Sequence, residues 1–172
     1  MYSTQHVRRA FFVTVMLLVS VAFSTSAIAQ EADPPTNIGL QLVADGFTSP
    51  VDLEQPDDGT GRLFIVDQIG VIYIVNEDGE RLDAPFLDIR DQMVELREGF
   101  DERGLLGMAL HPDFADNGRF FVYYSAPLQD GGPEEWDHTA HVSEFTVSAD
   151  NADAADRDSE RLVLAVDQPQ FN

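Results

Sequence analysis

Short apolar runs, each bounded by turn-forming residues, recur from residue 38 to the end of the chain. Leu40, Leu42 and Ala44 alternate with other positions and predict an opening strand over 38–44. Val51–Leu53 is a second, shorter run, followed by a loop dense in turn formers, Pro56 to Gly61. Arg62–Asp67 (RLFIVD) and Val71–Asn76 (VIYIVN) predict two strands, and the short Gln68-Ile69-Gly70 joint suits a hairpin. Phe86–Ile89 predicts a short edge strand, and Arg90–Arg97 one or two helical turns. Leu105–Leu110 is a nearly continuous apolar run, as in a strand covered on both faces; Pro112, which has no N–H to donate, ends it. Asp116-Asn117-Gly118 turns the chain into a strand over Arg119–Tyr124. Ala126–Asp137 is a polar loop, His141–Val147 alternates as a strand, and Ser148–Ser159 has no period and reads as an acidic loop. Arg161–Val166 is a last strand before a loop over 167–172. The pattern is that of an all-β chain, a meander of short antiparallel strands.

One stretch repeats. Pro56-Asp57 followed by Gly61-Arg62 and an apolar strand is echoed by Pro112-Asp113 followed by Gly118-Arg119 and a strand, the two glycines lying 57 residues apart. That spacing suits propeller blades, each of four strands in roughly 40–50 residues plus loops.

The segment DERGLLGMALHPDFADNGRFFVYYS, with GRLFIVDQIGVIYIV, PFLDIRDQMV and HVSEFTVSADNADAADRDSERLVLAVDQPQFN in register around it, resembles the soluble quinoprotein glucose/sorbosone dehydrogenases. The resemblance runs from about Gly39 to Asn172 and implies a six-bladed β-propeller. This chain holds about two to three of its blades, so it is expected to be the N-terminal part of a longer protein. Pyrroloquinoline quinone (PQQ) and calcium are the implied cofactors. An aldose or sorbosone-type sugar is the implied substrate, and an external electron acceptor the implied partner.

Three regions follow: a leader over 1–29, a Pro-containing lead-in over 30–37 and the propeller part over 38–172. His6-Val7-Arg8-Arg9, the apolar run Ala10–Phe23 and Ala27-Ile28-Ala29 form a secretory signal peptide, so the protein is expected to be exported, periplasmic or extracellular, and free of the membrane after cleavage. Arg8-Arg9 also resembles a twin-arginine signal but lacks its flanking residues. There is no cysteine, hence no disulfide and no lipoprotein anchor.

Charge narrows the partners. Every cationic residue is Arg, and removing residues 1–29 leaves 8 of them against 31 Asp and Glu, a net charge of −23. Phosphate recognition needs clustered cations, so nucleic acid is excluded as a partner. Such a surface suits a salt-rich milieu, where self-repulsion is screened.

The resemblance places Glu102 at the mouth of the central channel, beside quinone and sugar, where its carboxylate can accept hydroxyl hydrogen bonds; the alternative is a surface residue paired locally with Arg103. It places Asn172 next to the general base, a His expected immediately downstream, or leaves it a loop residue that shapes the turn. No catalytic residue and no metal ligand is assigned within the chain, and most quinone and calcium ligands are expected beyond residue 172. The chain alone is therefore expected to be inactive. His111 reads as a turn residue, with Asp113 capping the following N–H groups. His138 and His141 form H-x-x-H without the third ligand that zinc requires. The acidic run 150–160 lacks the spacing and glycine of an EF-hand loop. Phosphate-loop, dinucleotide-binding and serine-hydrolase motifs are absent. Two other functions fit the same fold: a non-catalytic ligand- or protein-binding propeller, and a calcium-dependent lactonase.

Overall fold

In the computed structural model, residues 39–171 are described, and they form two four-stranded antiparallel meanders. The first contains β1 (Pro50–Glu54), β2 (Leu63–Asp67), β3 (Val71–Val75) and β4 (Leu87–Asp88) in sequential order. The second contains β5 (Leu105–Leu110), β6 (Arg119–Pro127), β7 (His138–Val147) and β8 (Ala155–Gln168), with a four-residue helix α1 (Phe114–Asn117) between β5 and β6. All lie in the unit that begins at Gln41. No described helix is long and apolar enough to cross a membrane.

The alternation of side chains decides which faces meet. Phe64 pairs with Ile74 and Val66 with Ile72, while Phe120 pairs with Phe145, so each sheet presents one apolar face. These faces share one core. A chain of rings crosses it: Phe64 to Phe86 at 4.5 Å between centroids, Phe86 to Phe120 at 5.2 Å, and Phe120 to Phe145 at 5.9 Å. Contact distances in this range favour aromatic pairs beyond their buried area. Phe114, on α1, closes the cluster edge-on to Phe64.

The echo in the sequence is structural. Gly61 and Gly118 both hold positive φ, +68° and +62°, and each turns the chain towards the second strand of its sheet. The first strands of the two sheets are tied directly, Met108 N–H donating to Asp52 Oδ2 at 2.9 Å. At the far end, the buried Arg62 reaches across to Ala152 O (2.7 Å) and Asp153 Oδ1 (2.9 Å) in the β7–β8 loop.

Several expectations are corrected. Residues 39–44 form no strand; Leu40, Leu42 and Val43 are exposed there, and they have no ladder partner among the described residues. Residues 90–97 contain a hydrogen-bonded turn, Gln92 N–H to Ile89 O, and no helix. The strand over Leu105–Leu110 is buried on one side only, with Leu105 and Met108 covered and Ala109 exposed. The acidic stretch is partly strand, since β8 begins at Ala155, where the chain pairs with Val147. Asp113 makes no side-chain cap on α1; His111 Nδ1 accepts the Asp113 N–H instead, at 3.0 Å. The leader and residues 30–37 lie outside the described residues.

The far face of the second sheet is open. Tyr123, Leu164 and Val166 share it, in the register Tyr123–Val142–Leu164, and all three are exposed. A propeller blade covers such a face with its neighbour.

Candidate functional site

The site forms where β2 and β6 end and β5 and β7 begin. β2 terminates in Asp67, fully buried, whose carboxylate accepts the N–H groups of Thr48 (2.7 Å) and Ser49 (2.8 Å). The next residue, Gln68, spans to the neighbouring sheet: its Nε2 donates to Asp101 O (2.7 Å) and Arg103 O (2.8 Å), and its own carbonyl accepts from Leu105 N–H. Gly104 allows this approach. It holds φ +136°, and a Cβ there would lie 2.5 Å from Gln68 O.

Arg103 is the hub. Its Nε and Nη2 grip Asp101 at 3.0 and 2.7 Å, Nη1 donates to Asp137 Oδ1 at 3.1 Å, and Nη2 also reaches Glu95 O at 3.0 Å. Both Arg103 and Asp101 side chains are almost wholly buried. The Arg103 hydrogen bonds hold the Asp101 carboxyl far below the usual carboxylate range. Asp137 in turn contacts His138 Nδ1 (3.1 Å) and Arg97 (3.6 Å), and its N–H donates to Gln168 O. Arg97 stacks over the Phe171 ring at 3.8 Å, fastening the segment after β8 to the loop before β5.

Glu102 rides on this assembly. It is exposed between the two buried partners Asp101 and Arg103, and the Arg103 guanidinium is directed to Asp101 and Asp137, not to Glu102. Asn172 lies outside the described residues. His111 is at the opposite end of β5, accepting from Asp113 N–H and contacting Asn117 Nδ2. His138 and His141 are three apart on one strand and so point to opposite faces; they share no ligand. Among the described residues no group of three His, Cys, Asp or Glu is placed to hold a metal ion.

A quinone bearing three carboxylates needs uncommitted cations. Four of the five Arg103 N–H groups are engaged by Asp101, Asp137 and Glu95 O, and Arg97 is shared between Asp137 and Phe171. These residues therefore do not by themselves fit the quinone, and no described cluster fits its calcium.

Gln68 is the residue that strand patterning passes over. It stands in a hairpin joint, and its signal is a part-buried span to a loop 33 and 35 residues away.

Comparison with known proteins fits this geometry. The family model for glucose / sorbosone dehydrogenase matches residues 47–168. Hedgehog-interacting protein of Mus musculus and of Homo sapiens are each 35% identical over 127 residues, covering 74% of this chain and 18% of theirs. Among solved structures, a glucose dehydrogenase superposes with TM-score 0.57 at 19% identity, over 73% of this chain and 32% of that one. The PQQ-bound form of aldose sugar dehydrogenase from Streptomyces coelicolor does so with TM-score 0.56 at 18% identity, over 78% and 36%. The apo soluble aldose sugar dehydrogenase from Escherichia coli gives 0.55 at 21% identity, over 73% and 32%. The chain thus spans about a third of the solved relatives and less than a fifth of the curated ones. Its two blades, their shared core and the match over residues 47–168 make this chain a member of the glucose / sorbosone dehydrogenase family.

Proposed function

We propose that these two blades open an exported quinoprotein that oxidises an aldose or sorbosone-type sugar at a C–OH group, with PQQ as hydride acceptor and calcium beside it. The family match across residues 47–168 carries this reading. In it, the Gln68–Arg103 assembly is the rigid floor of the channel mouth, and Glu102 presents a solvent-facing carboxylate to sugar hydroxyls. Asn172 sits next to a downstream His that takes the hydroxyl proton. An external acceptor reoxidises the cofactor, and residues 1–29 direct export.

The test is dye-linked oxidation of a panel of aldoses and sorbosone by the product of the complete reading frame, with PQQ and calcium added. Sugar-dependent dye reduction that needs the added quinone supports the reading; no reduction with any sugar removes it. Residues 30–172 alone should show no activity. Activity in that fragment would overturn the downstream placement of the base.

A second reading has its own observation. The identity to Hedgehog-interacting protein, 35% over 127 residues, exceeds the 18–21% to the dehydrogenase structures. It favours a propeller that binds a protein partner and carries no quinone. Retention of a protein ligand by quinone-free protein that oxidises no sugar would select it.

A further inference from the structure

Away from the Arg103 assembly, the loop after β4 and the strands β6–β8 border an open groove of about 540 Å³. Gln92, Tyr124, Gln129, His141, Glu160 and Leu162 line it. The buried Tyr124 hydroxyl donates to Glu160 Oε1 at 2.8 Å. A phenol has one proton, so in the 3.1 Å contact with His141 Nδ1 the imidazole is the donor. That sets the Nδ1–H tautomer and leaves Nε2 as a lone-pair acceptor. Burial holds His141 below its ordinary range, which keeps the ring neutral near pH 7.

The groove offers acceptors and neutral amides but no cationic side chain. Glu160 has a second oxygen beyond its bond to Tyr124. Gln92 Oε1 is buried with no partner, a state that costs free energy unless something donates to it. His141 Nε2 is a third acceptor, and no Arg lines the groove. The complement of an anionic carboxylate oxygen and a neutral imidazole acceptor is a ligand with N–H donors and a positive charge. A chain of net charge −21 also concentrates cations at its surface. Zinc fits less well, because His141 and Glu160 supply two ligands where it takes three or four from protein.

We propose that this groove binds a small organic cation carrying several N–H donors, a primary ammonium or guanidinium group. Glu160 is its counter-charge, and His141 Nε2 accepts an N–H bond from it. All these residues belong to the two blades described, so the site does not depend on the dehydrogenase reading.

The experiment is an NMR titration of the full chain with butylammonium and methylguanidinium chloride, following imidazole nitrogens and side-chain amides, with sodium chloride matching the ionic strength. The expected result is a saturable shift at His141 and Gln92, with His141 in the Nδ1–H tautomer beforehand. Glu160→Gln should weaken binding about tenfold, the loss of one charge-assisted hydrogen bond, while backbone signals stay in place. Tyr124→Phe should free Nδ1 and mix the tautomers. The proposal is overturned by the absence of a saturable shift, an equal shift with sodium chloride, unchanged affinity in Glu160→Gln, an Nε2–H tautomer, or tighter binding of zinc at the same residues.

Discussion

Arg103 grips the carboxylate of Asp101, two residues before it, through Nε at 3.0 Å and Nη2 at 2.7 Å, and both side chains are almost completely buried. The exposed residue between them, Glu102, is thereby carried on a closed ring of hydrogen bonds. Removing one partner of a buried pair strands the other charge. Arg103→Met should therefore cost about 3 kcal/mol or more in urea unfolding. Arg103→Lys should recover little, because an ammonium cannot reproduce the fork that serves Asp101, Asp137 and Glu95 O together.

Acid should weaken the fold through Glu144. Arg119 grips it at 2.8 and 3.0 Å, Arg161 bonds it as well, and the Arg119 hydrogen bonds lead in lowering its carboxyl to about 2. A carboxyl depressed in the folded state contributes fully above the ordinary glutamate value of about 4, and the contribution is lost as pH falls towards about 2. Asp101, lowered mainly by Arg103, acts in the same direction. Unfolding midpoints measured from pH 6 to pH 2 should fall across this window, and Glu144→Gln should flatten part of the slope.

Gly104→Ala tests the approach of the two sheets. The new Cβ meets a backbone carbonyl oxygen, Gln68 O at 2.5 Å, at φ +136°. The expected cost is about 2 kcal/mol or more, from strain and steric displacement together. Gly59→Ala meets nothing within 4 Å and carries only the strain of φ +75°, so it should cost about 1 kcal/mol. Equal losses at the two positions would contradict the close contact.

The core and the open face should respond differently. Phe120→Ala removes a fully buried ring that lies between Phe86 and Phe145, at an expected cost of about 3–5 kcal/mol. Leu164→Ser, on the exposed face with Tyr123 and Val166, should change stability by about 0.5 kcal/mol or less and should raise solubility. Denaturation curves and light scattering on the two variants separate these outcomes.

Most strands were legible because their signals are local. VIYIV is β3, Leu105–Leu110 is β5, and the echoed Gly-Arg pairs stand at the starts of β2 and β6. Leu40, Leu42 and Ala44 alternate as well as many strands do, yet form none, since alternation cannot show whether a ladder partner exists. β7 starts at His138, three residues before its apolar pattern, because its first residues pair with Pro127 and Ala126 across a polar loop. The site was less legible. Glu102 could be marked from the surrounding motif, but the partners that hold its loop, Gln68 and Asp137, come from residues 34 positions away on either side of 102 and 103.

The amino-acid order by itself determined the all-β class, the hairpin joints, the blade-like repeat and the extreme acidity, all set by spacing, turn chemistry and charge within a few residues of one another. Only the tertiary structure decided which face of each sheet is covered. It also decided which Arg meets which carboxylate, and that Tyr124, His141 and Glu160 from three strands meet in one groove. These depend on the register between strands and the packing between sheets, which bring together side chains up to 91 residues apart, such as Arg62 and Asp153. No local pattern encodes such a meeting, because each partner alone reads as an ordinary surface charge.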